Sequence, residues 1–311
     1  MAIPEPTATG TVPFGEWETW YRITGELGTG ATPVVVLHGG PGAAHNYTLT
    51  MARLAEQGRA VVHYDQLGIG NSTHLPDKSA DFWTVDLFLA ELDNLLAALG
   101  IADDYHVIGQ SWGGMLGAEH AVRRPAGLRT LTIADSPASM ELWSQAADEL
   151  RAQLPADVLA TLVKHEEAGT YDDPEYKKAS KYYYDLHVCR IVPNPPEVAA
   201  TDAAIEADPT VYNTMNGPNE FHCIGTLRDW SVVDEVKSIA VPTLLVNGAY
   251  DEATPLTMQP FMDGIPDVRW EVFPESSHMP HVEEEERFLS VVGAFLDEHS
   301  LDGHDDPRSA Q

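Results

Sequence analysis

The chain has 311 residues, 43% hydrophobic and 21% charged, an ordinary globular mix with enough length for one large core and an insertion. Its formal net charge of −30 argues against nucleic acid and anionic membrane as partners, since both would repel it; it fits either plain solubility or a field that draws cationic ligands. No apolar run reaches the roughly 18–20 residues of a membrane span, MAIPEPTATGTVPFGEW is no signal peptide, and Cys189 and Cys223 make neither a disulfide framework nor a zinc pattern, so the expectation is a cytoplasmic protein with reduced thiols.

Aromatic and β-branched residues with glycine punctuation from Phe14 to Thr24 predict an early antiparallel hairpin. PVVVLHGGPG follows, with Val34 to Leu37 as a short continuous apolar run ending at glycines. That pattern predicts a strand buried on both faces of a parallel sheet. RAVVHYDQLGIGNS is a second such strand with a glycine-containing loop. Residues 82–99 have helical apolar spacing and stop at Gly100, which suits a helix C-terminus. YHVIGQSWGGMLGAEHAV predicts strand, sharp turn and helix. LRTLTIADSPAS, VPTLLVNGAYDEATP and VRWEVFPESSHMP each predict a strand and loop, and the final helix is expected over about 283–298.

Strands alternating with helices predict an α/β chain, a mostly parallel sheet with helices on both faces. The stretch 138–236 breaks the rhythm. It is helical in composition, rich in Tyr, Asp and Glu, and contains PNPPE. It is expected as a helical cap insertion above the strand ends, with 1–137 and 237–300 forming the core. The segment 301–311 is expected to be a polar, frayed tail.

Gly109-Gln110-Ser111-Trp112-Gly113 matches G-x-S-x-G. Serine on a tight strand-to-helix turn stands clear of the backbone, near the following helix N-terminus, and the small flanking residues let the chain turn. Ser111 is therefore the candidate nucleophile. His38-Gly39-Gly40-Pro41-Gly42 follows the first buried strand, where glycines let backbone N–H groups point at a developing oxyanion. Gly40 is the expected donor, with the N–H of Trp112 as the second; Gly39 is the alternative and is counted among the substrate-contacting residues. No Gly-Lys-Ser/Thr follows, so a phosphate loop is disfavoured.

A serine nucleophile on such a fold needs an acid and then a histidine later in the chain. His278 follows the strand WEVF, and His281 lies three residues on; His278 is the expected base. Asp251 follows TLLVNG and is the expected acid, with Asp135 after LTIA as its rival. The acid would hold the imidazole tautomer while the base removes the serine proton. No metal or cofactor is implied.

These motifs give the chain a resemblance. It resembles the proline iminopeptidase and amino-acid amidase group of α/β-hydrolases, through HGGPG (38–42), YDQLGIGNS (64–72), GQSWGG (109–114), NGPNEF (216–221), GAYDEATP (248–255) and SSHMPH (276–281). The resemblance covers most of the chain. It implies the α/β-hydrolase fold and release of an N-terminal residue, often proline, through an acyl-enzyme. It also implies acidic side chains at the substrate's free amine, here Glu220 and Glu252, and hence a small peptide or amino-acid amide as partner. A desolvated ammonium needs such paired charge. Many relatives carry Arg where this chain has Leu67, a departure expected to loosen a salt bridge beside the site. Trp112, Phe221 and Trp230 are expected either to wall an apolar pocket or to be core. An esterase or lactonase on the same triad is the alternative, and it would need no amine-binding carboxylates.

Overall fold

The computed structural model describes residues 2–300. The expected tail 301–311 lies outside them. The chain opens with a hairpin of β1 (Ala8–Phe14) and β2 (Trp17–Thr24), turned at Gly15 with φ +63°. Then come β3 (Val34–Leu37), a 3-10 helical segment His45–Gln57, β4 (Val61–Tyr64), α1 (Val85–Ala98), β5 (Tyr105–Gln110), α2 (Trp112–Val122) and β6 (Leu128–Ala134). Helices α3 (Met140–Arg151), α4 (Ala156–Ala168), α5 (Pro174–His187), α6 (Pro196–Ala207) and α7 (Thr210–Met215) occupy the stretch before β7 (Thr243–Gly248). The chain ends with α8 (Pro255–Gly264), β8 (Val268–Phe273), α9 (Pro280–Glu283) and α10 (Glu285–Glu298).

The strands form one eight-stranded sheet in the order β1-β2-β4-β3-β5-β6-β7-β8. From β4 to β8 in that order all neighbours are parallel; the β1–β2 hairpin is antiparallel, and β2 pairs antiparallel with β4. The central strands show why an unbroken apolar run is required. Side chains alternate between faces with a period of two. Val35 and Leu37, Val62 and Tyr64, Val107, Leu131, Ile133 and Leu245 pack into one cluster with α1, α2 and α8. Val34 and Val36, Val61, Ile108, Ala134, Leu244 and Val246 pack into a second, with α10 and the 3-10 segment. Both faces are covered, so both parities of the central strands are buried and mostly apolar.

Helix α1 starts where Thr84 accepts a hydrogen bond from the Leu87 N–H, and it gives way to Gly100 at φ +69°. Two elements carry no clear periodic signal and were not expected from sequence: the 3-10 segment after HGGPG and α8. The final helix, expected over about 283–298, is α10, set off from the short α9 at Glu284. Glu283 accepts from Ser277 N (2.7 Å) and Glu284 from Ser276 Oγ (2.7 Å) and Glu275 N (3.0 Å), tying down the loop before His278.

The stretch from α3 to α7 has a smaller apolar cluster of its own: Ala147, Leu154, Leu162, Tyr176, Ala179, Tyr183 and Phe221. Cys189 and Val198 meet Ala43, Tyr47 and Met279 in another, which joins α6 and the end of α5 to the strand-end loops. No helix among the described residues is long and apolar enough to cross a membrane. Cys189 and Cys223 are free thiols.

Candidate active site

The site starts with a backbone constraint. Ser111 sits between β5 and α2 at φ +55°, ψ −123°, and its N–H donates to Ala134 O (2.9 Å). Left-handed backbone is costly for a residue with a Cβ, of order 1–2 kcal/mol. The flanking glycines explain how the turn closes. A Cβ on Gly109 would lie 2.0 Å from Gly113 O, and one on Gly113 would lie 2.0 Å from Leu37 O. Both are backbone clashes that cannot relax. The motif is therefore a requirement of chain packing, and the serine is what that packing presents.

HGGPG crosses in front of Ser111. A Cβ on Gly39 would meet Tyr47 Oη at 2.7 Å and Ser111 Cβ at 2.9 Å; one on Gly40, at φ +110°, would meet Ala43 N at 2.4 Å. The Gly39 N–H donates to Tyr47 Oη (2.6 Å), so it is occupied. Tyr47 Oη in turn donates to Gln110 Oε1, and Gln110 Nε2 donates to His278 O (2.8 Å). A buried chain of hydrogen bonds thus links the glycine loop to the backbone of His278. Gly40 and Trp112 line a constricted pocket with Ser111. The Trp112 indole is itself anchored, donating to Gln66 Oε1 (2.8 Å).

His278 Nδ1 lies 2.7 Å from Asp251 Oδ1, which also accepts from Ala253 N (2.8 Å). Burial alone would lower the His278 pKa, but the charge and hydrogen bond of Asp251, helped by Glu220 and Glu283, carry it above its ordinary value. Its Nε2 is buried without a hydrogen-bond partner, and His278 and Ser111 line one cavity. His281 is placed differently. Its Nε2 meets Tyr47 O (3.1 Å), its ring packs edge-on against Tyr47 and Phe288, and burial pushes its pKa down to about 3. Asp135 is fully buried beside Asp251, but it is Asp251 that accepts the hydrogen bond from the imidazole.

Two further carboxyls face this group. Glu220 lines the cavity, and its Oε1 accepts from Tyr212 Oη (2.5 Å). Trp143 Nε1 (2.7 Å) and Cys223 Sγ (3.2 Å) both hold its backbone carbonyl. Glu252 lies a layer deeper, 1% exposed, with Oε1 3.9 Å from His278 Nε2 and neither oxygen in a hydrogen bond. Burial, then the charges of Glu220 and Asp251, hold the Glu252 carboxyl well above the usual range; burial raises the Glu220 carboxyl too, offset in part by Tyr212. Such a pair is poor at holding two negative charges by itself and well suited to a cation between them.

The cavity has a volume of about 940 Å³ and runs from Ser111 and Glu220 under α5 and α6, past Tyr176, Tyr184, Asp202 and Tyr212. The constricted pocket on the other side of Ser111 measures about 10 Å³ and is walled by Pro41, Met115, Pro137, Met140, Trp143 and Leu227. Of the aromatic residues singled out from sequence, Trp112 lines this pocket. Phe221 and Trp230 line neither space. Phe221 packs against Tyr183 (4.6 Å) in the insertion's own cluster, and Trp230 donates to Glu119 Oε1 (2.8 Å) at the edge of the main core. Trp143, Tyr47 and Tyr212 were not singled out; no motif spacing marks them, and only Gln110 had a signal, as the variable position inside the elbow. Leu67 is buried core. Its N–H donates to Glu91 (3.1 Å), which also accepts from Thr19 Oγ1 (2.5 Å), and burial raises the Glu91 pKa to about 7.

The α/β-hydrolase fold family matches residues 32–285. The chain is 37% identical over 287 residues to a proline iminopeptidase of Lactobacillus delbrueckii subsp. lactis, covering 92% of this chain and 96% of that one. It is 36% identical over 298 residues to a proline iminopeptidase of Clostridium botulinum, covering 93% and 98%. Among solved structures, it is similar to VinJ (61% identity, TM-score 0.94, covering 95% of this chain and 100% of that one) and to a proline iminopeptidase of Mycobacterium smegmatis (57%, 0.88, 94% and 98%). The protein is a hydrolase of the α/β-hydrolase fold family and belongs, within it, with the proline iminopeptidases.

Proposed function

We propose that this enzyme releases an N-terminal proline, or another small apolar residue, from short peptides or amino-acid amides. Ser111 Oγ attacks the carbonyl carbon as His278 Nε2 takes its proton, and the oxyanion forms against the N–H groups of Gly40 and Trp112. The imidazolium, held by Asp251, gives that proton to the leaving nitrogen as the C–N bond breaks. Water then adds to the acyl-enzyme, His278 again acting as base, and the free amino acid leaves with Ser111 restored. Metal and cofactor play no part in the reading.

One observation carries the choice of substrate: Glu220 and Glu252, buried carboxyls with no cation to balance them, sit beside the base of a serine nucleophile. An ammonium group there would be paired on arrival, whereas an N-acylated substrate would leave both acids bare. The constricted apolar pocket supports a small acyl side chain. A pyrrolidine ring enters it only as Met115 and Met140 shift, which unbranched thioethers do readily. Helix α7 supplies Tyr212, the loop after it supplies Glu220, and α5 and α6 line the cavity, which supports 138–236 as a cap that restricts access to short substrates. A cytoplasmic location is part of the same proposal.

The test is hydrolysis of L-prolyl, L-alanyl and L-leucyl anilides, each with a free and an acetylated amine, beside a phenyl ester. The expected result is turnover of the free amines alone, prolyl or alanyl ahead of leucyl. Equal rates on free and acetylated forms, or turnover of the ester alone, would replace this reading with an esterase using the same triad.

A further inference from the structure

Asp135 directly follows β6 and has no role in the reaction described so far. Its backbone is left-handed, at φ +53°, and its N–H donates to Val246 O (2.7 Å) across the sheet. The side chain is fully buried, and neither carboxylate oxygen finds a donor in hydrogen-bonding geometry. One oxygen each of Asp135 and Asp251 and one nitrogen of His278 lie within 4.8 Å of one another. Asp251 is used on one side only. Its Oδ1 takes His278 and Ala253, while Oδ2 is buried and unpaired.

The groups facing Asp135 come from every element around it. They are Asp251 after β7, with the Gly248 N–H at that strand's end, Glu283 of α9, His278, and the Tyr47 hydroxyl of the 3-10 segment. None is a permanent cation. Two carboxyls in contact in such a place cannot both be ionised. Asp251 has two donors that favour its charge and Asp135 has none of comparable geometry, so the proton belongs on Asp135. Burial and then the charge of Asp251 push the Asp135 carboxyl well above its ordinary value, and the Gly248 N–H offsets this only in part.

We propose that Asp135 is a positioning residue: its carboxyl group carries a proton and donates it to Asp251 Oδ2, fixing the plane of the acid that orients His278. A neutral donor is what the place requires. An ionised Asp135 would add a second negative charge beside the imidazole and make His278 too readily protonated to serve as base.

The inference rests on Asp251, His278 and Ser111 acting as a triad, and its test does not depend on the natural substrate. The rate at which a fluorophosphonate labels Ser111 is measured against pH for the parent, Asp135→Asn and Asp135→Ala. Labelling needs neutral His278, so its acid limb reports that imidazole. The asparagine keeps a donor and no charge, so D135N is expected to label at the parent rate with the acid limb unmoved. D135A is expected to label about tenfold to a hundredfold more slowly, the cost of a lost hydrogen bond to a buried charge. If D135N instead moves the acid limb down by about one unit or more, Asp135 is ionised in the parent, as it would be around a bound cation, and the proposal is overturned. Parent-like labelling by D135A also overturns it. Should D135A not fold, the limb position in D135N decides alone. Failure of the triad reading shows separately, as parent labelling with no acid limb.

Discussion

Around Ser111 the two halves of the molecule are built from different materials. The sheet side is held by backbone: Gly109 against Gly113, Gly113 against Leu37, and strands whose two faces are filled by aliphatic side chains. The insertion side is held by aromatic side chains with polar tips. Tyr212 donates to Glu220, the Glu220 N–H donates to Tyr184 Oη (3.3 Å), and Asn219 Nδ2 donates to Tyr176 Oη (2.5 Å). Backbone contacts permit almost no substitution, so the reacting groups are fixed to within the packing tolerance of the sheet. Side-chain contacts can be exchanged one at a time. On the proposed reading, substrate choice is shared between Glu252, beside Asp251, and the stretch of α3 to α7 with residues 216–221, where a new preference can be made without displacing Ser111.

Removing the nucleophile should give the largest effect and spare nothing. Ser111→Ala is expected to lower kcat by at least about 10⁴-fold on every substrate with an unchanged KM, measured on free-amine anilides and on any ester the parent cleaves. Residual turnover near the parent rate on any of them would break the assignment of chemistry to the sheet side. The next effect should be selective. Glu220→Gln is expected to lower kcat/KM on free-amine substrates by about a hundredfold, while slow turnover of acetylated ones is unchanged or improved. Equal losses on both classes would mean that Glu220 supports the fold and does not select the amine.

The smallest effect should appear in stability. The folded state holds the Glu252 carboxyl above its unfolded value, so folding takes up a proton at this site. Parent stability then falls as pH rises from about 4.3, the unfolded value, through the raised folded one. Glu252→Gln removes that penalty. The variant should match the parent near pH 4 and exceed it by about 1–2 kcal/mol at pH 8, read by urea unfolding at both pH values, although it binds amine substrates poorly. A variant less stable than the parent at pH 8 would show that Glu252 is ionised and paired in the unliganded enzyme.

The legible part of the site is the part under local constraint. HGGPG and GQSWGG can be read because most of their glycines answer a clash a few residues away or across one strand; Gly42 is the exception, constrained by Val211 and Tyr212 of α7. Continuous runs such as Val34 to Leu37 predict buried parallel strands for the same reason. The 3-10 segment after HGGPG and helix α8 were not legible, since their stability comes from packing on a sheet already formed. The break at Glu284 depends on two serine partners that only the folded loop brings within reach. Nor was the setting of Leu67 legible: it lies in the core, where the fold satisfies Glu91 with the Leu67 N–H and a threonine from β2.

The sequence by itself determined the Ser111 turn, the glycine loop and the parallel sheet, because these follow from sterics and period. Tertiary structure alone decided the rest. It spent the Gly39 N–H on Tyr47, gave His278 rather than His281 a carboxylate partner, and sent Phe221 and Trp230 into packing. It also placed Asp135 against Asp251 and Glu252 near Glu220, deep enough that burial changes what each carboxyl can hold. A residue's type is written in the chain, but its proton and its partner depend on which distant groups exclude water from it, and no local spacing encodes that.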